Sequence, residues 1–288
     1  MAETVVLGVD TRRPRLVVAR AFAESPAAIV GLSLLVTLVL AAVFAPLLTP
    51  YDPLRGTGLP LRPPGPVHPM GTDDLGRDVL AQVLYGARVS LLIGVTASAI
   101  ALAIGLVAGS LSGYFGGLVD DVTMRVTELF QVIPRVFLAI LLVALFGQHV
   151  TVAAVAIGVL SWPPSARVLR AEFLARREAE YVLAARVVGA SALHQIVREI
   201  LPNAVSPMIV IASLNVGSAI LLEAGLAFLG LSDPNVPSLG RILQESVQFL
   251  YAGWWMSLFP GLVVALLVVA MNLVGDGLND VLNPRLRR

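Results

Sequence analysis

The 288-residue chain contains no cysteine and no lysine, and all twenty of its basic residues are arginine. Without cysteine, a disulfide framework, a thiolate zinc site and an iron–sulfur cluster are excluded. Without lysine, a phosphate-binding loop of the Walker type is excluded, because that loop needs its lysine to reach the phosphates. The histidines, His68, His149 and His194, are too far apart in sequence to form a ligand cluster at metal-site spacing. No catalytic, metal or nucleotide constellation remains, so the chain is not expected to be an enzyme.

Charge is also scarce. Only 14% of the residues are charged and the mean hydropathy is +0.85, whereas a soluble domain has about 25% charged residues. The formal net charge of +1 gives no reason to expect a nucleic-acid partner. The excess apolar surface must therefore face membrane lipid.

Long runs without charge mark the membrane spans, because about 20 apolar residues cross the hydrocarbon core. The run from Val136 to Ala166 is too long for one helix and is interrupted by "FGQHV". We therefore predict an all-α integral membrane protein with six transmembrane helices, near residues 27–48, 89–111, 125–146, 149–164, 205–226 and 254–275.

The distribution of arginine predicts the orientation, since cytoplasmic loops carry the excess of positive charge. With the N-terminus inside, thirteen arginines fall on inner segments and five on outer ones. Both termini are then cytoplasmic. The chain divides into a cytoplasmic segment 1–26, the first helix 27–48, an outer loop 49–88, and a five-helix core 89–288. That core includes a cytoplasmic loop 165–204 and a cytoplasmic tail.

The outer loop is rich in proline ("LPLRPPGPVHP") and is therefore expected to be extended and stiff. Apolar residues after it recur at helical spacing, and Thr72 or Asp73 is placed to cap a helix. We expect an amphipathic helix on the outer surface that leads into the second span. Trp254 and Trp255 are expected to lie in the aromatic belt at the outer interface.

The cytoplasmic loop contains "YVLAARVVGASALHQIVREILPNAV", residues 181–205. Tyr181, Ala184, Ala185 and Val188 form one apolar stripe, and a second stripe follows Gly189. The polar residues Ser191, His194, Gln195 and Arg198 share the opposite face. Gly189 permits a bend between two short helices, and Pro202 is expected to stop the second helix before the fifth span. Two interpretations are open: a helix built for close docking on a partner, or a surface helix that only connects two spans.

The spacing within this loop resembles the cytoplasmic loop motif of bacterial ABC-importer permeases. Two alanines are followed by Gly189 four residues later and by a Leu-Pro pair that ends thirteen residues beyond the glycine. In that family the loop docks in a groove on the ATPase subunit. The resemblance assigns this role to the following residues: Ala184, Ala185, Arg186, Gly189, Ala190, His194, Leu201 and Pro202. Leu183 stands where the general pattern has glutamate.

Further segments resemble the permeases of the dipeptide, oligopeptide and nickel class, in particular the dipeptide-permease C type. They are "HPMGTDDLGRDVLAQVLYGARVSLLIG", "GYFGGLVDDVTMRVTELFQVIP", "EAGLAFLGLSDPNVPSLG" and "NLVGDGLNDVLNPRLR". The first supplies an outer-loop motif of Gly71, Thr72, Asp73, Gly76, Arg77 and Asp78.

This resemblance implies a permease subunit in the bacterial cytoplasmic membrane that forms half of a translocation pathway. The implied partners are a paralogous permease, two ATPase subunits that bind ATP and magnesium, and an extracytoplasmic substrate-binding protein. No cofactor is expected in this chain. Di- or oligopeptides are the expected substrates, and nickel or another small solute is the alternative within the same class.

Ionisable residues at membrane depth are candidates for the pathway, because a charge there is costly and usually lines a cavity or finds a partner. Glu128 and Arg135 are seven residues apart and are expected to share a face of the third span; alternatively, both are interfacial. Glu223 either meets the substrate or binding protein, or caps a helix junction. Asn272 is the last candidate, although structural hydrogen bonding is the simpler role there.

A different class of function is a secondary transporter driven by an ion gradient. Such proteins tend to have internal inverted repeats and ionisable residues at the centre of the membrane. This chain shows no visible repeat and few such residues, which favours the permease interpretation.

Overall fold

The computed structural model describes residues 25–282. Residues 1–24 and 283–288, which hold seven of the arginines used to predict the orientation, lie outside the described part. The α-helices are α1 (Pro26–Val43), α2 (Ala45–Leu48), α3 (Val79–Phe115), α4 (Gly117–Val132), α5 (Arg135–Phe146), α6 (Val150–Leu160), α7 (Pro163–Arg176), α8 (Glu180–Val187), α9 (Ala192–His194), α10 (Leu201–Phe228), α11 (Leu239–Ser246) and α12 (Trp255–Leu282). A π-helical turn, Gln195–Ile200, joins α9 to α10, and a 3-10 turn, Val247–Phe249, follows α11. Within the described residues, β-structure is limited to two isolated bridges. The predicted all-α fold is confirmed.

Four continuous helical segments are long and apolar enough to span a membrane: Pro26–Val43, Val79–Phe115, Ala192–Phe228 and Trp255–Val281. There are also two bent helix pairs, α4 with α5 and α6 with α7. If each pair forms one span, the number of membrane spans is six. Each of the six predicted spans overlaps one of these segments or bent pairs, with shifted boundaries. The side of the membrane on which each loop lies stays a prediction.

The second predicted span is part of a much longer helix, α3, which has 37 residues. The expected cap at Thr72 or Asp73 is wrong, since Asp78 caps α3 by accepting a hydrogen bond from the Ala81 amide at 2.7 Å. The predicted helix does lead into the second span, since residues 79–88 are the first turns of α3, but its expected place on the outer surface is wrong. Val79 and Val83 in these turns are buried in the protein rather than lying on its surface.

The third predicted span is not one straight helix. Its two halves, α4 and α5, meet at an angle of 85°. Pro134 causes the break, because proline disfavours helical geometry in the residue before it and lacks an amide hydrogen. Ile133 is accordingly extended, with ψ at 127°. The next pair bends less: α6 and α7 meet at 40°, where Pro163 and Pro164 begin α7.

Pro202 does not stop a helix, so that expectation is wrong. It lies in the first turn of α10, and the helical path continues from Ala192 to Phe228. The π-helical turn before it accommodates the proline, because the Leu201 amide donates to the Ile196 carbonyl five residues back. Such turns commonly mark a bend or a functional site in a helix.

Helix α3 is the central element and packs against α7, α10 and α6. Its contact with α7 is close because glycines face it: a Cβ atom at Gly109 would lie 2.5 Å from the Ala166 carbonyl oxygen. Gly105 and Gly113 meet α7 at the same distance, on either side of Gly109. Small residues of this kind let two membrane helices approach each other closely. At about 1.5 Å per residue, α3 is about 55 Å long, so its two ends lie far apart.

Candidate functional site

The segment 180–200, here called the docking segment, lies at the C-terminal end of α3. It comprises α8, a turn, α9 and the π-helical turn. Val182 on one side and Ile196 and Ile200 on the other are buried in a cluster with Leu169 and Phe173 of α7. The docking segment is therefore anchored to the helices at both of its ends.

Between these anchors, the docking segment exposes apolar side chains. The strongest are Val187 and Val188, which are 86% and 83% exposed. The others that are exposed are Tyr181, Leu183, Leu193 and Val197. An exposed group of apolar side chains on a fixed element is typical of a protein–protein contact.

The predicted bend at Gly189 is confirmed. Its φ angle is +84°, a conformation that residues with a Cβ atom rarely adopt. The next helix starts at once, because the Ser191 hydroxyl accepts a hydrogen bond from the His194 amide at 3.3 Å. Ala190, which follows the glycine, donates its amide to the Ala185 carbonyl at 3.0 Å.

The other residues assigned to docking divide into exposed and enclosed ones. Ala184, Arg186 and Pro202 are exposed, whereas Ala185 and Leu201 are partly buried. Nε2 of His194 lies 3.5 Å from the Glu199 carboxylate.

The predicted polar face is wrong at Gln195. Ser191 and Arg198 are exposed as expected, but Gln195 is buried among the helices. The structure therefore brings one side chain of that face into the protein interior.

The outer-loop motif builds a second site, at the N-terminal end of α3. Asp73 is fully buried, and its Oδ2 accepts hydrogen bonds from Arg77 Nε at 2.5 Å and from Gln82 Nε2 at 2.8 Å. Its Oδ1 accepts from the Arg77 amide at 2.8 Å. Arg77 also donates from Nη2 to Glu245 of α11 at 2.7 Å. We call Asp73, Arg77, Gln82 and Glu245 the Asp73 network.

Thr72 and Gly71 attach the loop to the rest of the protein. The Gly71 carbonyl accepts from the amide of Val79, the first residue of α3, at 3.1 Å. The Thr72 hydroxyl donates to the Leu59 carbonyl at 2.7 Å and accepts from the Arg62 amide at 2.8 Å. Trp255 donates from its indole nitrogen to the Thr72 carbonyl at 3.0 Å. Trp255 is therefore buried, and its predicted place in an interfacial belt is wrong, whereas Trp254 is 51% exposed.

Asp78 and Gly76 complete the motif. Besides capping α3, Asp78 lies 2.8 Å from Nδ1 of His68, and both side chains are buried. Gly76 has a φ angle of +73°, and its carbonyl accepts from the amides of Thr57 and Gly58 at 2.8 and 3.0 Å. A Cβ atom at Gly76 would lie 2.2 Å from the Gly58 carbonyl oxygen. The motif residues thus hold the loop in one compact conformation.

Asp74 is the member of this region with an unsatisfied carboxylate oxygen. Its Oδ1 is buried and finds no hydrogen-bond donor among residues 25–282. Burial raises the pKa of its carboxyl, and the negative charges of Asp73 and Glu245 raise it further. Oxygens of these three carboxylates lie within 4.8 Å of one another. Arg77 supplies positive charge to Asp73 and Glu245, so the group is an ion-pair network rather than a simple cluster of acids.

The structure separates the first two pathway candidates. Because the break at Pro134 puts Glu128 on α4 and Arg135 on α5, the expectation that they share one helix face is wrong. Glu128 lies instead 3.4 Å from Arg125 in an exposed ion pair. Arg135 borders a half-open cleft of about 340 Å³ that Gln131 and Leu160 also line.

Glu223 is enclosed by the protein. Its carboxylate accepts hydrogen bonds from Ser90 of α3 at 2.7 Å and from Ser238 at 3.0 Å. Since Ser238 directly precedes α11, Glu223 ties α3, α10 and the start of α11 together. The helix-junction interpretation therefore fits its position. Asn272 is exposed on α12.

Sequence reasoning missed Glu245 and also Tyr114 of α3, whose hydroxyl donates to Oε1 of Gln195 at 2.9 Å. It gave Trp255 a different role. Arg77 and Glu245 are 168 residues apart, and no local pattern relates them. A buried polar partner of this kind is found only when the packing of the helices is known. For Gln195, an exposed face was predicted because α-helical geometry was assumed through the π-helical turn.

The fold and these sites define a class: a multi-span helical membrane protein with an anchored apolar docking segment at one end of α3. Comparison with known families agrees with this class. Residues 105–288 match the family described as binding-protein-dependent transport system inner membrane component. Residues 15–64 match the N-terminal transmembrane domain of oligopeptide transport permease C. The chain belongs to the family of binding-protein-dependent transport permeases.

Individual relatives extend over almost the whole chain. The dipeptide transport system permease protein DppC of Escherichia coli is 42% identical over 275 residues, covering 93% of this chain and 92% of the relative. The protein of that name from Haemophilus influenzae is 36% identical and covers 93% of each. A putative peptide transport system permease protein of Brucella suis is 41% identical and covers 90% of this chain and 88% of the relative.

Solved structures of similar fold include the MetNI methionine ABC transporter in inward-facing conformations, with a TM-score of 0.56 and 20% identity. The match covers 69% of this chain and 96% of the other. These comparisons identify a bacterial ABC-importer type of permease, a multi-pass membrane protein, and do not favour a secondary transporter driven by an ion gradient.

Proposed function

We propose that this permease forms half of the translocation pathway of a peptide importer and is driven by a separate ATPase that binds its docking segment. The exposed pair Val187 and Val188, held on a helix that Val182 anchors, is the observation that carries this proposal. The chain lacks the lysine of a nucleotide-binding loop, so ATP and magnesium belong to the partner.

The ATPase is the occupant that the surface fits best. The docking segment lies at one end of α3, and the Asp73 network lies at the other, about 55 Å away. A system that depends on a binding protein needs contacts at both ends, one for the source of energy and one for the substrate carrier. The exposed charges of the docking segment are of both signs, with Glu180 as well as Arg186 and Arg198, so its apolar side chains rather than a net charge define the surface that the partner groove must fit.

Two further partners belong to the proposal. A paralogous permease completes the pathway, and a substrate-binding protein delivers the solute to the end that holds the Asp73 network. Peptides are the proposed substrates because the most similar relatives carry dipeptide and peptide transport in their names. Arg135 at the edge of its cleft is the remaining candidate for contact with the substrate carboxylate, since arginine binds carboxylates with two parallel hydrogen bonds.

The test is substitution at Ala185 in the complete complex, reconstituted in proteoliposomes. Ala185→Trp should abolish ATP-driven uptake and release the ATPase subunits during purification, because a large side chain in a closely packed interface causes strain of about 1–3 kcal/mol or more. Ala185→Ser is the matched control and should keep both. Gly189→Pro should fail as well, since proline fixes φ near −65° and this position needs +84°.

The same vesicles test the substrate. Uptake of labelled dialanine, competed by unlabelled dipeptide and not by nickel, is the expected result. Full uptake in the Ala185→Trp variant would mean that the docking segment is only a connector, and uptake of radioactive nickel alone would replace the peptide assignment.

A further inference from the structure

Gln195 is a polar side chain in an apolar place. It is 3% exposed and lies beside Ile196 and Ile200, which belong to the cluster that anchors the docking segment. A buried amide costs free energy unless both of its ends are hydrogen-bonded. Both ends of the Gln195 amide are hydrogen-bonded, and their two partners lie in different parts of the protein.

The two hydrogen bonds of Gln195 join the docking segment to α3. Its Nε2 donates to the carbonyl of Ala190, in the turn after Gly189, at 2.8 Å. Its Oε1 accepts from the hydroxyl of Tyr114 at 2.9 Å. Tyr114 is the penultimate residue of α3. The amide is thus a direct bridge between the docking turn and the end of the central helix.

The π-helical turn is what places Gln195 in the interior. On an α-helix, Gln195 and the buried Ile200 would be about 140° apart, because each residue advances about 100°. A turn closed by hydrogen bonds between residues five apart brings them to the same face. The turn occurs here because Pro202 follows it, and a proline cannot donate the amide hydrogen that an α-helical turn needs.

We propose that Gln195 is a positioning residue that transmits movement of the docking segment to α3 through Tyr114. This inference rests on the proposed docking of an ATPase. When the partner moves the docking turn, the bridge makes the end of α3 follow, and the helix carries the displacement towards the Asp73 network. Without the bridge, the docking segment can shift against the apolar cluster, because apolar contacts have no preferred direction.

The experiment uses the complete complex in proteoliposomes and measures the number of solute molecules taken up per ATP hydrolysed. Tyr114→Phe and Gln195→Met each remove the bridge and keep the size of the side chain. We expect the ATPase subunits to co-purify and ATP hydrolysis to persist, while uptake per ATP falls about tenfold, the equivalent of one net hydrogen bond. Tyr251→Phe, which removes a hydroxyl at a fully exposed position, should have no effect.

The double variant, Tyr114→Phe with Gln195→Met, separates coupling from folding. Replacing both partners by apolar groups leaves no unpaired hydroxyl or amide at the contact between residues 114 and 195. The Ala190 carbonyl loses its donor, just as it does in Gln195→Met alone, and the bridge is still absent. Uptake per ATP should stay low. Wild-type coupling in the double variant, or in both single variants, would overturn the proposal. If the ATPase subunits do not co-purify with the wild-type permease, the docking function itself is overturned instead.

Discussion

Arg77 is the buried arginine that neutralises two carboxylates. It pairs with Asp73 and Glu245, and its own side chain is only 8% exposed. Removing one partner of a buried ion pair leaves uncompensated charge, which costs about 3–5 kcal/mol. We therefore expect Arg77→Met to lower the free energy of unfolding by this amount, measured by denaturation in mixed micelles with tryptophan fluorescence.

The matched control for this variant is Arg55→Met. Arg55 pairs with Asp52 on the surface, where its side chain is 83% exposed, and such substitutions stay within about 0.5 kcal/mol. Equal stability of the two variants would show that the Asp73 network contributes nothing to the fold.

Asp74 gives a prediction about pH. Since its pKa is raised in the folded protein, chiefly by burial, the folded state holds the proton more tightly than the unfolded state. The stability that this proton provides is complete below the unfolded pKa and is lost as the pH rises through the folded pKa. Above its folded pKa, the ionised Asp74 therefore destabilises the protein.

Asp74→Asn should accordingly raise the melting temperature at pH 7.5 by more than it does at pH 4. The measurement is thermal unfolding across this range, with Asp52→Asn at an exposed position as the control. A gain that is larger at low pH would contradict the sign of the shift.

At the scale of elements, the contact between α3 and α7 decides how closely the central helices pack. Gly109→Ala places a Cβ atom 2.5 Å from a backbone carbonyl oxygen of α7. This clash can be relieved only if the two helices move apart. We expect a loss of about 1–3 kcal/mol in the same denaturation experiment.

Gly225→Ala is the control for this prediction. Gly225 lies within α10, and a Cβ atom there would meet nothing within 4 Å. Alanine should stabilise that helix by about 0.5–1 kcal/mol. If both alanine variants are stabilising, the close approach of α3 and α7 is not required.

The elements also show what the sequence could predict. Apolar runs locate the spans because the hydrocarbon core requires about 20 apolar residues whatever their packing. Composition could not reveal the 85° break between α4 and α5, since a proline is tolerated in membrane helices when neighbouring groups satisfy the backbone. The pairing of Arg77 with Glu245 was hidden for another reason: the two residues come together only because the loop before α3 packs against α11.

At the scale of the whole molecule, the predicted orientation in the membrane can be tested directly. The arginine distribution predicts that the docking segment is cytoplasmic and that residues 247–254 are outside. Since the chain has no cysteine, single cysteines can be introduced and labelled in whole cells with an impermeant thiol reagent. Ser191 and Tyr251 suit this purpose because both are exposed, whereas Ser238 is buried.

Tyr251→Cys should be labelled from outside, and Ser191→Cys only after the membrane is made permeable. Labelling of Ser191→Cys in intact cells would reverse the predicted topology and place the docking segment on the wrong side for an ATPase.

The distance along the chain between Arg77 and Glu245 has a consequence for biosynthesis. A ribosome adds about 5–20 residues per second, so the 168 residues between them take about 8–34 s to synthesise. During this interval Arg77 can already pair with Asp73, but its second partner does not yet exist. Arg77 in the nascent permease therefore has only one of its two carboxylate partners until α11 is made. We expect chains that end before residue 239 to resist unfolding less than the full chain does.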